Sequence, residues 1–169
     1  MLQAAKRPDA AVAPQPRWKS RMSKVDEVLA QKEPALHHVT PADTVLTALQ
    51  IMRERKIRAV VVLDEGRLVG IVSERDCALK VLLPGLDAKT TSIADVMTRD
   101  VITVAPADPI ERCMVEMTGR SIRHLPVVKD ARVIGMISVG DVVKEAMREQ
   151  ARHIGYLESY IKGHGVPYQ

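Results

Sequence analysis

Two stretches of this chain carry the same set of polar and ionisable side chains. Gly70-Ile71-Val72-Ser73-Glu74-Arg75-Asp76 returns 65 positions later as Gly135-Met136-Ile137-Ser138-Val139-Gly140-Asp141. Each copy is a glycine, two apolar residues, a serine, and an aspartate three residues further on. Both follow a β-branched run and lead into a segment that reads as helix, so the serine falls where strand gives way to helix. A serine there accepts from the free N–H groups of the first helical turn, and an acid three residues on reaches back to the serine's own N–H. The same arrangement suits a ligand, because a helix N-terminus favours phosphate and an ionised carboxylate accepts from sugar hydroxyls. One copy would read as a simple capping box; two copies at a fixed spacing point to a ligand site built on the cap.

Other candidate chemistry is thinner. His37-His38 are adjacent on an extended run and point to opposite faces, with no carboxylate or cysteine at ligand spacing, so no metal site is expected. Cys77 and Cys113 lie 36 residues apart in half-apolar helical contexts and read as buried, reduced thiols. Ser73 and Ser138 have no histidine base close in sequence, which leaves an enzyme acting on a nucleotide as the alternative reading and a chain without catalysis as the leading one.

The net charge of +4 is unevenly spread. Lys6, Arg7, Arg17, Lys19, Arg21 and Lys24 stand against Asp9 alone, so the basic excess belongs to the first 24 residues and the rest of the chain is slightly acidic. There is no Phe, and Trp18, Tyr156, Tyr160 and Tyr168 all lie outside the repeated region. No base-stacking platform can be built there, and neither a nucleic-acid nor a membrane partner is expected of the body. Nucleic-acid or membrane-surface binding through the basic arm is a further alternative. No apolar run approaches the roughly 20 residues of a membrane span, and a cytoplasmic location is expected. The acid-poor start is also compatible with an organelle transit peptide.

The elements that must position the two motifs repeat with them. Residues 1–22, with three prolines, read as a loosely docked basic arm. Ser23 opens a short amphipathic turn carrying Val25, Val28 and Leu29, matched 68 positions on by Ile93, Val96 and Met97. Extended runs ending in Thr40-Pro41 and Ala105-Pro106 follow, then helices over 44–55 and 109–120 with Asp43 and Asp108 placed to cap them. Aliphatic strands from Ile57 and Ile122 turn back through tight hairpins into a third strand and the motifs, followed by helices over 74–83 and 139–161. Each unit is thus β-α-β-β-α, an α/β (α+β) fold class, with units over 23–84 and 92–148, a linker over 85–91, and a C-terminal extension over 149–169. Ile154, Leu157 and Ile161 continue the apolar stripe of the last helix, with Gly155 as a weak point, which suggests packing across a homodimer.

With both motifs, the prolines and the matched strands in view, the region from Val25 to Met147 resembles a tandem pair of CBS domains, the Bateman module. That resemblance implies two units packed about a pseudo-twofold axis, with two clefts that bind adenine nucleotides such as AMP, ATP, NAD or S-adenosylmethionine. It implies a regulatory module, commonly dimeric, that signals to a separate protein target. Carried onto this chain, Asp76 and Asp141 would hold ribose hydroxyls, and Ser73 and Ser138 would meet ribose or phosphate. Val39, Thr40, Ile57, Arg58 and Ala59 would wall adenine in the cleft of Ser138 and Asp141; Thr103, Val104, Arg123, His124 and Leu125 would do so for Ser73 and Asp76. Arg58 and Arg123 could fork a phosphate, as could His124 in its charged form. The clefts are expected to differ, since Arg75 is replaced by Gly140 and Ala59 by His124.

Overall fold

The computed structural model describes residues 23–33 and 35–163. The basic arm with Trp18, the last six residues, and the side chains of Leu157 and Ile161 lie outside the described residues. In chain order the elements are α1 (Val25–Leu29), β1 (His38–Val39), α2 (Val45–Arg55), β2 (Ala59–Asp64), β3 (Arg67–Ser73), α3 (Glu74–Cys77), α4 (Ile93–Val96), α5 (Ile110–Arg120), β4 (His124–Lys129), β5 (Arg132–Ser138) and α6 (Val139–Gly163). A π-helical turn, Ala78–Leu82, prolongs α3. The β-α-β-β-α order is therefore complete in the first half and lacks its first strand in the second, and α6 runs without a break through Gly155.

In the first half β1 pairs parallel with β2, and β2 antiparallel with β3. The second half keeps the β4–β5 hairpin, but the strand expected near Ile102 is reduced to one parallel bridge, Val104 to Val127. Pro126 supplies the reason. Val104 N–H donates to the Pro126 carbonyl, and Val128 N–H donates to Val104, but proline has no N–H to continue the ladder toward Ile102. Its counterpart in the first half is Val61, which is free to pair. Both hairpins turn through two residues of positive φ, Glu65-Gly66 and Asp130-Ala131, the geometry that matches the twist of the strands.

Two buried clusters form the core, and each borrows its entry turn from the other half. Val25 and Val28 of α1 pack with Val104, Ile110, Cys113, Leu125, Val127 and Ile137. Ile93 and Val96 of α4, with Met97, pack with Val39, Val45, Met52, Val60, Val62 and Val72. Matched backbone bonds fix the exchange. Val25 N–H donates to Asp108 and Ile110 N–H to Ser23, while Ile93 N–H donates to Asp43 and Val45 N–H to Thr91. At the start of α1, Ser23 is also held from α6, its hydroxyl donating to Glu145 at 2.7 Å and its N–H to Glu149 at 3.0 Å, with Arg152 on the same Glu145 oxygen.

The aspartates expected to cap α2 and α5 do something else. Thr44 caps α2 by accepting from Thr47 N–H, and Pro109 begins α5 with no side-chain cap. Asp43 and Asp108 instead fold back to accept from the N–H of Thr40 and Ala105, closing the loops before the helices. Each acid lies one residue short of the capping position in the first half and of Pro109 in the second, so the loop N–H is its nearer donor.

Candidate ligand clefts

Both motifs form complete reciprocal caps. Ser73 Oγ accepts from Asp76 N–H at 3.2 Å while Asp76 Oδ2 accepts from Ser73 N–H at 3.0 Å and from its hydroxyl at 2.6 Å. At the second site the bonds are 3.3, 2.8 and 2.7 Å, so the local chemistry is the same in both halves. Burial opposes ionisation of Asp76, but the Lys80 ammonium and the Ser73 donors outweigh it and hold the carboxyl below its usual range. Asp141 is lowered in the same way, burial being overcome by Lys32 and the Ser138 donors. Two half-buried carboxylates are thus kept ionised, each ready to accept hydroxyl donors.

Their surroundings differ. Lys80 bridges Asp76 Oδ1 at 2.9 Å to the Val96 carbonyl of α4 at 2.6 Å, so both oxygens of Asp76 are engaged. At Asp141 all three donors fall on Oδ2, and Oδ1 has no hydrogen-bond partner among the described residues. The third donor is Lys32, from the turn after α1, which also reaches the Met136 carbonyl at 2.8 Å. Arg58 is tied to Glu74 at 2.9 Å; Val139 occupies Glu74's place in the second half, and among the described residues Arg123 has no ion pair. His124 is half-buried, and burial together with the nearby Lys32 pushes its pKa down, against the pull of Asp141 and Glu74.

The hairpin register places the expected adenine-wall segments relative to the motifs. Ala59 lies opposite Ser73 and His124 opposite Ser138, and Glu74 N–H donates to Arg58, as Val139 N–H does to Arg123. Each strand start, Ile57 to Ala59 or Arg123 to Leu125, therefore sits beside the motif of its own half. The reason is covalent: a tight hairpin joins the two strands, so the start of one lies beside the end of the other. Val39 pairs with Val62 and Val104 with Val127, three residues further along, and both are buried in the cores with Leu125. Thr40 is spent on Asp43, through its N–H and hydroxyl, and Thr103 stands half-buried beside Val104. The halves also meet near the motifs. A groove of about 470 Å³ brings Arg75 to Arg123, walled by Met114, Met117, Val139 and Val142.

Lys32 was the residue hidden from sequence reading. It lies 109 positions from its partner aspartate, and only the exchange of entry turns brings the two together. Burial, with Asp76 or Asp108 adding to it, pushes Cys77 and Cys113 up to about 11, and both are free thiols. Among the described residues no group of three or more His, Cys, Asp or Glu could hold a metal, and no helix is long and apolar enough to cross a membrane.

Two halves of like element order, each with an ionised Ser-x-x-Asp cap at its strand-to-helix junction, define a tandem α/β module. The CBS domain model matches residues 25–82 and 93–148, and the chain belongs to the CBS-domain family. It is 40% identical over 129 residues to a mitochondrial CBS domain-containing protein of Arabidopsis thaliana, the match taking in 73% of this chain and 63% of that relative. Among solved structures it is similar to a CBS-domain-containing protein of Agrobacterium tumefaciens, with TM-score 0.68, 34% identity, and 72% and 98% of the two chains covered. It is also similar to the CBS domain pair of protein MJ0100, solved in complex with 5′-methylthioadenosine and S-adenosyl-L-methionine, with TM-score 0.65, 26% identity, and 73% and 95% covered.

Proposed function

We propose that this chain is a regulatory module without a catalytic step, working in the cytoplasm as a homodimer. It would bind an adenine nucleotide, AMP first and ATP or NAD(H) next, and pass cellular energy or redox state to a separate protein. The observation that carries this is the pair of ionised aspartates locked by their own serines at strand-to-helix junctions. The residues fit the ligand: Asp141 Oδ1 is available to ribose hydroxyls, and Arg123 and the start of α6 offer positive charge to a phosphate. The adenosine ligands of the MJ0100 pair support the class. The dimer is supported by exposed apolar side chains on and just after the helices, among them Leu82, Leu83, Val115, Val143 and Met147.

A thermal-shift series with AMP, ATP, NADH and, as a control, GMP tests the reading on the full chain. The expected result is a rise in melting temperature with at least one adenine nucleotide and little with GMP. A flat response to all of the adenine nucleotides would remove the proposal.

A further inference from the structure

Lys32 distinguishes the two clefts more sharply than any residue of the motifs themselves. Its ammonium stands 2.8 Å from Asp141 Oδ2 and 2.8 Å from the Met136 carbonyl, at the edge of the second cleft. It arrives there because α1 packs on the opposite half. The chain after α4 offers no matching lysine: Met97 leaves the helix extended and Thr98 bridges to Ile71. The first cleft must draw its lysine from the motif helix itself, and Lys80 is held to the Val96 carbonyl as well as to Asp76. Two further differences lie on the same side. Arg123 lacks the acid that ties Arg58, and Gly140 replaces Arg75, leaving a space where an added Cβ would meet nothing nearer than Ser138 Oγ at 3.6 Å.

An ammonium beside a ribose-binding carboxylate acts differently on two kinds of ligand. For an adenosine without phosphate it adds nothing, since hydroxyls that take the open Oδ1 leave the ion pair on Oδ2 as it was. For an adenosine carrying a 5′-phosphate it is a second anchor, because the flexible four-carbon stem can turn toward the phosphate as the hydroxyls arrive. Lys32 therefore gains a second anionic partner only when the ligand is phosphorylated.

We propose that Lys32 sets the ligand class of the Asp141 cleft, selecting 5′-phosphorylated adenosines over phosphate-free ones. The proposal rests on the nucleotide reading above and adds to it a residue and a direction of selectivity. Its test uses the full chain and the ring resonances of His124, assigned with His124→Gln, as a reporter beside Asp141, with Asp141→Ala as the control that the response comes from this cleft. AMP and 5′-methylthioadenosine are titrated into the unaltered chain, Lys32→Met and Lys32→Arg, each first shown to melt cooperatively. The unaltered chain is expected to prefer AMP; Lys32→Met lowers the ratio of AMP to methylthioadenosine affinity by about tenfold or more, and Lys32→Arg keeps it. An equal gain for both ligands in Lys32→Met would overturn the proposal, since Lys32 would then merely plug the carboxylate. An unchanged ratio, or heat of binding with no response from His124, overturns it equally. If neither ligand nor any adenine nucleotide binds the unaltered chain, the nucleotide reading itself has failed, a result distinct from binding with an unchanged ratio.

Discussion

Asp76 and Asp141 carry identical caps, yet one has both oxygens engaged and the other only Oδ2. The cap was legible in the sequence because it is local: serine and aspartate three apart at the end of a β-branched run can meet in few other ways. Lys32 and the tied state of Arg58 were not legible, since the first depends on a contact across the whole chain and the second on which way an exposed arginine turns. His124 offers a measurement at this scale. It faces Lys32, Asp141, Glu74 and Arg123, and its pKa is held below the ordinary 6.5. Between the folded and the ordinary value the unfolded chain binds more protons, so stability rises with pH across that window and is lost as pH falls through it. Denaturant unfolding at pH 7.5 and 5.5 should show this loss, and His124→Gln should reduce it; an unchanged pH dependence in the variant would assign the slope to other groups.

The exchanged entry turns explain the glycine that opens each motif. A Cβ on Gly70 would stand 2.6 Å from Met97 Sδ and 3.2 Å from its Cβ, and one on Gly135 would stand 2.9 Å from a Leu29 methyl. Met97 and Leu29 are equivalent residues at the ends of α4 and α1, so in both halves the glycine is the seat of the borrowed turn. Gly70→Ala should cost about 1–3 kcal/mol in unfolding free energy, as overpacking does. Gly135→Ala should cost less, because only the tip of Leu29 must move. Equal and negligible losses would mean that the turns do not sit as described. Sequence reading found the entry turns and their 68-residue match, but it gave each to its own half. Apolar spacing says that a face is buried and is silent on what buries it. The loss of the strand near Ile102 was written in Pro126, a residue whose missing N–H matters only once its neighbour is known.

Across the molecule, two halves with separate cores are joined by exchanged turns and by a groove that sets Arg75 against Arg123. Leu82 and Leu83 are each 77% exposed and Met147 66%, a large apolar surface for helices that otherwise cover a core. Light scattering on the full chain should give a dimer, and Met147→Lys or Leu83→Lys should shift it toward monomer without lowering the monomer's own cooperativity of melting. A monomeric parent chain would contradict the dimer. The repeat, the order of elements and the two motifs could all be read from sequence, because they are copied within one chain. What could not be read is how the copies hold each other.

In the proposed function the two aspartates are the ribose acceptors of adenine-nucleotide clefts. Isothermal titration of AMP into the full chain, Asp141→Ala, and the double variant Asp76→Ala/Asp141→Ala tests it most directly. Asp141→Ala should weaken its own cleft by about 1–3 kcal/mol, the cost of a lost buried polar contact, and the double variant should lose saturable binding. A double variant that binds AMP as the unaltered chain does would contradict the account.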